Sequence, residues 1–112
     1  MKTNDAIRSL AALAQATRLD IYRLLVQQGP PGLAATAIAE KLALPNATLS
    51  FHVKGLTQAG LVTSRQEGRF IYYAANFPAM NELVGFLTEN CCGGADCGAA
   101  CEPVKPSRRK SA

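Results

Sequence analysis

Apolar residues recur with a helical period through the first sixty positions of the chain and with a strand period after them. Ile7, Leu10, Ala11, Leu13 and Ala14 stand at helical spacing and predict a first helix. Thr17 predicts the start of a second, its hydroxyl acting as cap and Asp20, three residues on, completing a capping box. Leu19, Ile21, Tyr22, Leu24 and Leu25 give that helix a broad apolar side. Gln28-Gly29-Pro30-Pro31-Gly32 stops it, because proline lacks an amide donor and clashes with the preceding turn. A short helix over about 34–43 follows, with Ile38, Ala39 and Leu42 as its buried face. Pro45 fits the first turn of the next helix, which runs to about Ala59 and stops at Gly60. There Leu49, Val53 and Leu56 fall at i, i+4 and i+7 as one inward stripe, and Asn46, Ser50, Phe51, Lys54 and Thr57 take the other side.

The period then shortens. Leu61-Val62-Thr63-Ser64-Arg65 and Phe70-Ile71-Tyr72-Tyr73 are β-prone runs joined by Gln66-Glu67-Gly68-Arg69, the pattern of a hairpin. A last helix is predicted from about Asn76, with Phe77, Met80, Leu83, Val84 and Leu87 as its apolar face. Gly93-Gly94 weakens any continuation, and 98–112, rich in Gly, Ala, Pro, Ser and basic residues, is expected to be mobile. The order of elements predicts a mainly α fold with one β-hairpin, a winged helix-turn-helix. The helix at 46–59 would enter the major groove, which admits one α-helix, and the hairpin would be the wing. We expect one folded unit over 1–92 and a cysteine-bearing tail over 93–112.

Length agrees with one domain: the chain has 112 residues and 48% apolar composition, enough for a small core. No apolar run reaches the ~18–20 residues that span a bilayer, and Met1-Lys2-Thr3-Asn4-Asp5 is unlike a signal peptide. The expectation is a cytoplasmic protein with no membrane partner. The net charge of +4 is uneven: residues 1–40 carry +1, 41–73 carry +3, 74–101 carry −3 and 102–112 carry +3. The +3 over 41–73 coincides with the predicted recognition helix and wing, which favours DNA over a merely solvated basic surface.

Three stretches carry a resemblance. Ala47-Thr48-Leu49-Ser50-Phe51-His52-Val53-Lys54-Gly55-Leu56 with Ala59-Gly60-Leu61-Val62 resembles the recognition helix of the arsenic-responsive ArsR/SmtB family of bacterial repressors. Thr17-Arg18-Leu19-Asp20-Ile21-Tyr22-Arg23-Leu24-Leu25 is similar to that family's second helix, and Glu67-Gly68-Arg69-Phe70-Ile71-Tyr72-Tyr73 to its wing. Together they cover about residues 5–90. The resemblance implies a homodimer joined by the first and last helices, and binding to double-stranded operator DNA that a metal or metalloid relieves.

On the predicted recognition helix, Asn46, Thr48, Ser50 and Phe51 lie in the half that usually meets base edges. Asparagine pairs with adenine and serine suits several bases. Phe51 would meet a thymine methyl or pack on a neighbouring helix. His52, the only histidine, borders the apolar stripe and fits a structural hydrogen bond or a phosphate contact better than a metal. Lys54, Arg65 and Arg69 are expected phosphate contacts, giving affinity and salt dependence.

All four cysteines lie between 91 and 101, as Cys91-Cys92-x4-Cys97-x3-Cys101. In a reducing compartment this cluster argues for soft-metal chemistry over a disulfide framework. As(III) and Sb(III) take three thiolates in a pyramid, and Gly93, Gly94 and Gly98 let the backbone fold around such a centre. The family's common arsenite site, a Cys-x-Cys before the recognition helix, is missing: Ala35-Thr36-Ala37-Ile38-Ala39-Glu40 holds no cysteine. The resemblance therefore points to the subgroup with a C-terminal site, using Cys91, Cys92 and Cys97, with Cys101 as substitute. Ligation at the end of the last helix would change the spacing of the two recognition helices. Alternatives are another soft metal (Cd, Hg, Bi), a tetrathiolate zinc site, a redox switch and an inert tail. An enzyme such as an arsenate reductase is disfavoured, because Glu89 and Asp96 beside the thiols oppose a thiolate poised on an oxyanion. A soft-metal carrier would leave the predicted recognition helix and wing unexplained. No catalytic cofactor is expected.

Overall fold

The computed structural model describes residues 1–94. Cys97, Cys101 and the expected mobile stretch 98–112 lie outside them. The elements are α1 (Thr3–Leu13), α2 (Ala16–Gln28), β1 (Leu33–Ala34), α3 (Ala35–Leu42), α4 (Asn46–Gln58), β2 (Val62–Glu67), β3 (Phe70–Ala75) and α5 (Phe77–Leu87), with a 3-10 turn at Cys91–Gly94. This is a winged helix-turn-helix. Among the described residues, no helix is long and apolar enough to cross a membrane.

The core forms where α2, α3 and α4 meet the base of the sheet. Ile21, Leu25, Ile38, Val53, Leu56 and Leu61 are fully buried there, joined by Leu49, Val62 and Ala75. The inward stripe predicted for α4 is the one observed. The first helix forms where the spacing predicts it, and its buried side is made of small residues. Ala6, Ser9 and Ala12 form the buried face of α1, while Ile7 is 57% exposed and Leu10 also points out. Small residues let α1 lie close to α2, so the large aliphatics are left on the far side. The last helix divides similarly. Leu83 is buried, Phe77 and Met80 pack on the core, and Val84 and Leu87 are 54% and 57% exposed.

Two helix starts differ from the sequence reading. Gln15, not Thr17, caps α2: its side chain accepts from the Arg18 amide at 2.8 Å. Pro45 sits just before α4 as its extended cap residue rather than within the first turn. Asn76 does cap α5, accepting from the Ala79 amide at 3.2 Å. The turn between α3 and α4 closes with Ala43 in the left-handed region, φ +54°. The Leu44 amide reaches back to the Ala39 carbonyl at 2.9 Å and the Ala43 amide to the Glu40 carbonyl at 3.3 Å, which satisfies two carbonyls of α3's last turn.

The sheet is antiparallel with order β1-β3-β2. The hairpin register pairs Val62 with Ala75, Ser64 with Tyr73, Arg65 with Tyr72 and Glu67 with Phe70. The sequence reading missed β1, which pairs Leu33 with Tyr73 and Ala34 with Tyr72. Two residues carry no readable period, and a proline-rich stop precedes them. Gly32 makes the pairing possible: its φ is +75°, and a Cβ there would collide with the Tyr73 carbonyl oxygen.

Candidate nucleic-acid interface

Helix α4 carries six of the eight DNA-contact residues expected from sequence. Asn46, Ser50, Phe51 and Lys54 are exposed, while Thr48 and His52 are half-buried. Phe51 is 64% exposed, so it does not serve as a core contact. Two clefts flank this face. One runs toward the wing, lined by Ser50, Lys54 and Thr57 of α4 and by Ser64 and Tyr73 of the hairpin. The other runs toward the first two helices, lined by Arg8, Arg18, Gly55 and Gln58. Gln58, the last residue of α4, borders both.

The wing separates its two arginines. Successive strand residues point to opposite faces, so Ser64 and Tyr73 look toward α4 and Arg65 and Tyr72 look away. Arg65 Nε donates to Glu67 Oε2 at 2.6 Å, and its guanidinium lies 4.9 Å from the centre of the Tyr72 ring. Arg69 stands in the two-residue turn at the hairpin tip, after Gly68 at φ +62°. Among the described residues, Arg69 thus presents its charge at the tip with no acidic side chain bonded to it, unlike Arg65.

Arg18 of α2 joins this group although nothing in its local sequence marks it. Its Nε donates to His52 Nδ1 at 3.2 Å, and its guanidinium carbon lies 5.6 Å from the Phe51 ring centre. Phe51 and His52 meet edge to face, centroids 5.2 Å apart. The guanidinium occupies the space a side chain at residue 55 would need, since a Cβ on Gly55 would lie 2.6 Å from the Arg18 guanidinium carbon. A glycine inside a helix costs about 1 kcal/mol against alanine, so Gly55 was the one sequence signal of this approach. His52 is a hydrogen-bonded acceptor here and not part of any metal-ligand cluster among the described residues.

Beyond α5 the chain turns tightly through left-handed residues, with φ of +57° at Asn90, +58° at Cys92 and +68° at Gly93. α5 ends at Leu87, so the thiols begin past the helix end rather than on it. Cys91 and Cys92 are exposed, and their sulfurs lie 3.6 Å apart in a hydrogen bond. That bond, with slight desolvation, holds the Cys92 thiol above its ordinary range.

Residues 13–65 match the model of a helix-turn-helix domain family. The chain is 35% identical over 103 residues to the nodulation protein NolR of Rhizobium meliloti, covering 92% of this chain and 79% of that one. It is 33% identical over 91 residues to the arsenical resistance operon repressor of Bacillus subtilis (strain 168), covering 77% and 83%. Among solved structures it is similar to a homodimeric winged helix-turn-helix DNA-binding domain from Mycobacterium bovis, described as a possible ArsR-family transcriptional regulator. The identity there is 31%, the coverage 78% of this chain and 81% of that one, and the TM-score 0.62. With recognition helix, wing and relatives in agreement, the chain belongs to the ArsR family of helix-turn-helix transcriptional regulators.

Proposed function

We propose that this protein is a cytoplasmic, homodimeric repressor that binds double-stranded operator DNA and is released when As(III) or Sb(III) binds its C-terminal thiols. Cys91 and Cys92 are two ligands, and Cys97 or Cys101 is the third. The observation that carries this reading is the pair of exposed thiols just past α5, with sulfurs already 3.6 Å apart. Thiols are soft donors suited to such a centre. Arsenous acid and three thiols condense to three As–S bonds and three waters, with no change of oxidation state. The similar Bacillus subtilis protein, a repressor of an arsenical resistance operon, supports the inducer class.

Asn46, Thr48, Ser50 and Phe51 face base edges in this reading, His52 is a polar contact beside them, and Lys54, Arg65 and Arg69 meet phosphates. The dimer uses α1 and α5, which touch each other and leave Ile7, Leu10, Val84 and Leu87 exposed. The homodimeric Mycobacterium bovis domain supports that assembly. The inducer acts by binding the DNA-incompetent arrangement more tightly, since equal affinity for both would shift nothing.

The test is inducer titration against operator release for Cys91→Ser, Cys92→Ser, Cys97→Ser and Cys101→Ser. Cys91→Ser and Cys92→Ser should bind operator normally and fail to release it with arsenite. Normal arsenite release from either variant overturns the site. Release by cadmium, mercury or bismuth but not by arsenite moves the inducer to another soft metal.

A further inference from the structure

We propose that Arg18 is a positioning residue for DNA reading. From α2 it sets the hydrogen-bonding character of His52 and the place of Phe51, without itself contacting the nucleic acid. The inference rests on operator binding through α4.

Three contacts converge on one guanidinium. Arg18 Nε donates to His52 Nδ1 at 3.2 Å, so that nitrogen carries no proton. The imidazole proton is therefore on Nε2. Among the described residues the one fully buried side-chain nitrogen or oxygen without a partner is the Tyr22 hydroxyl. Among the described residues His52 Nε2 has no bonding partner and is not a buried unpaired atom, so it faces solvent as a donor. The same guanidinium lies 5.6 Å from the centre of the Phe51 ring, which is otherwise mostly exposed. Gly55 leaves the space the guanidinium fills, and the Gln15 cap on the Arg18 backbone amide anchors the start of α2 from which the side chain extends. Arg18 thus converts a rotatable imidazole and an exposed ring into a fixed donor and a fixed apolar surface. Fixed groups on a recognition helix improve discrimination between sequences more than overall attraction.

The probes are the DNA upstream of the protein's own gene and an unrelated duplex of equal length. Affinity for each is measured against salt, without inducer, for the wild type, Arg18→Met, Gly55→Ala and the double variant. Alanine is the better helix former at 55, so Gly55→Ala displaces the guanidinium without weakening α4 intrinsically. Each single variant should lose roughly tenfold in operator affinity, keep its affinity for the unrelated duplex, and keep its salt slope. The double variant should be no worse than Arg18→Met alone, because both changes remove one interaction. Nitrogen-15 spectra of His52, the only histidine in the chain, should show the Nε2–H form in the wild type and a mixture in both variants. A salt slope lower by about 1 with equal loss on both duplexes makes Arg18 a phosphate contact and overturns the proposal. Additive losses, or an Nδ1–H wild type, overturn it as well. If the wild type does not distinguish the two duplexes, operator binding fails and this inference falls with it.

Discussion

Arg65 and Arg69 lie four positions apart and look equivalent in sequence, yet their surroundings differ. Arg65 is tied to Glu67 on the face turned from α4, so a phosphate meeting it also meets a carboxylate. Exposed pairs of this kind contribute ~0–1 kcal/mol, so its charge is offset more than its position is fixed. Arg69→Ala should lower the salt slope of operator binding by about 1, and Arg65→Ala by clearly less. Slopes measured between low and moderate salt decide the order. Ala43 offers a stability counterpart. Holding an alanine at φ +54° costs ~1–2 kcal/mol, part of which glycine gives back in unfolded-chain entropy. Ala43→Gly should therefore raise stability by about 0.5–1 kcal/mol, read from the urea midpoint at unchanged slope.

At the scale of elements, what could be read from sequence followed from burial. Leu49, Val53 and Leu56 are inward because α4 has a single core face, and period alone finds such a face. Helix α1 turns small residues inward and leaves Ile7 and Leu10 outward, so its apolar spacing marked the helix without marking its buried face. Strand β1 was illegible because two residues have no period, and its existence depends on β3, about forty positions away. The recognition helix was legible as an element. Its link to Arg18 was not, because a contact between α2 and α4 leaves only a glycine as its trace. The thiol pair was plain in sequence, while its place past the end of α5 was not. That place matters for inducer chemistry. Arsenous acid exchanges hydroxyls for thiols as water, so protons are conserved, whereas a divalent ion must expel a proton from each thiol. The hydrogen bond with Cys91 pushes the Cys92 thiol up from its usual range, which favours the protonated form that a divalent ion must displace. Between about pH 6 and 8, cadmium affinity should climb with pH and arsenite affinity should stay nearly level. Binding isotherms at three pH values check this, and equal climbs would contradict three-thiol condensation.

For the whole molecule, the outward aliphatics of α1 and α5 are the feature that one chain leaves unfinished. Ile7, Leu10, Val84 and Leu87 lie on two helices in contact, and isolated exposed aliphatics are ordinary while a contiguous set is not. Leu10→Glu or Val84→Glu should yield monomer at micromolar concentration by light scattering. Operator affinity should drop by more than tenfold, because two half-sites are no longer held at one spacing of ~34–36 Å. A dimer retained by both variants would place the interface elsewhere.

The smallest strand constrains the release proposed above. β1 bonds to the wing's inner strand and runs directly into α3, with Gly32 pressed against the wing backbone. The hairpin is thereby stitched to the helix-turn-helix at its root, so the wing is not a separate arm that an inducer could lift while the recognition helix stays seated. In the proposed dimer each protomer would meet DNA, and leave it, as one tooth of a two-toothed clamp. Inducer action at the proposed thiol site would then work through the gap between the teeth, where a modest change would cost groove and backbone contacts together.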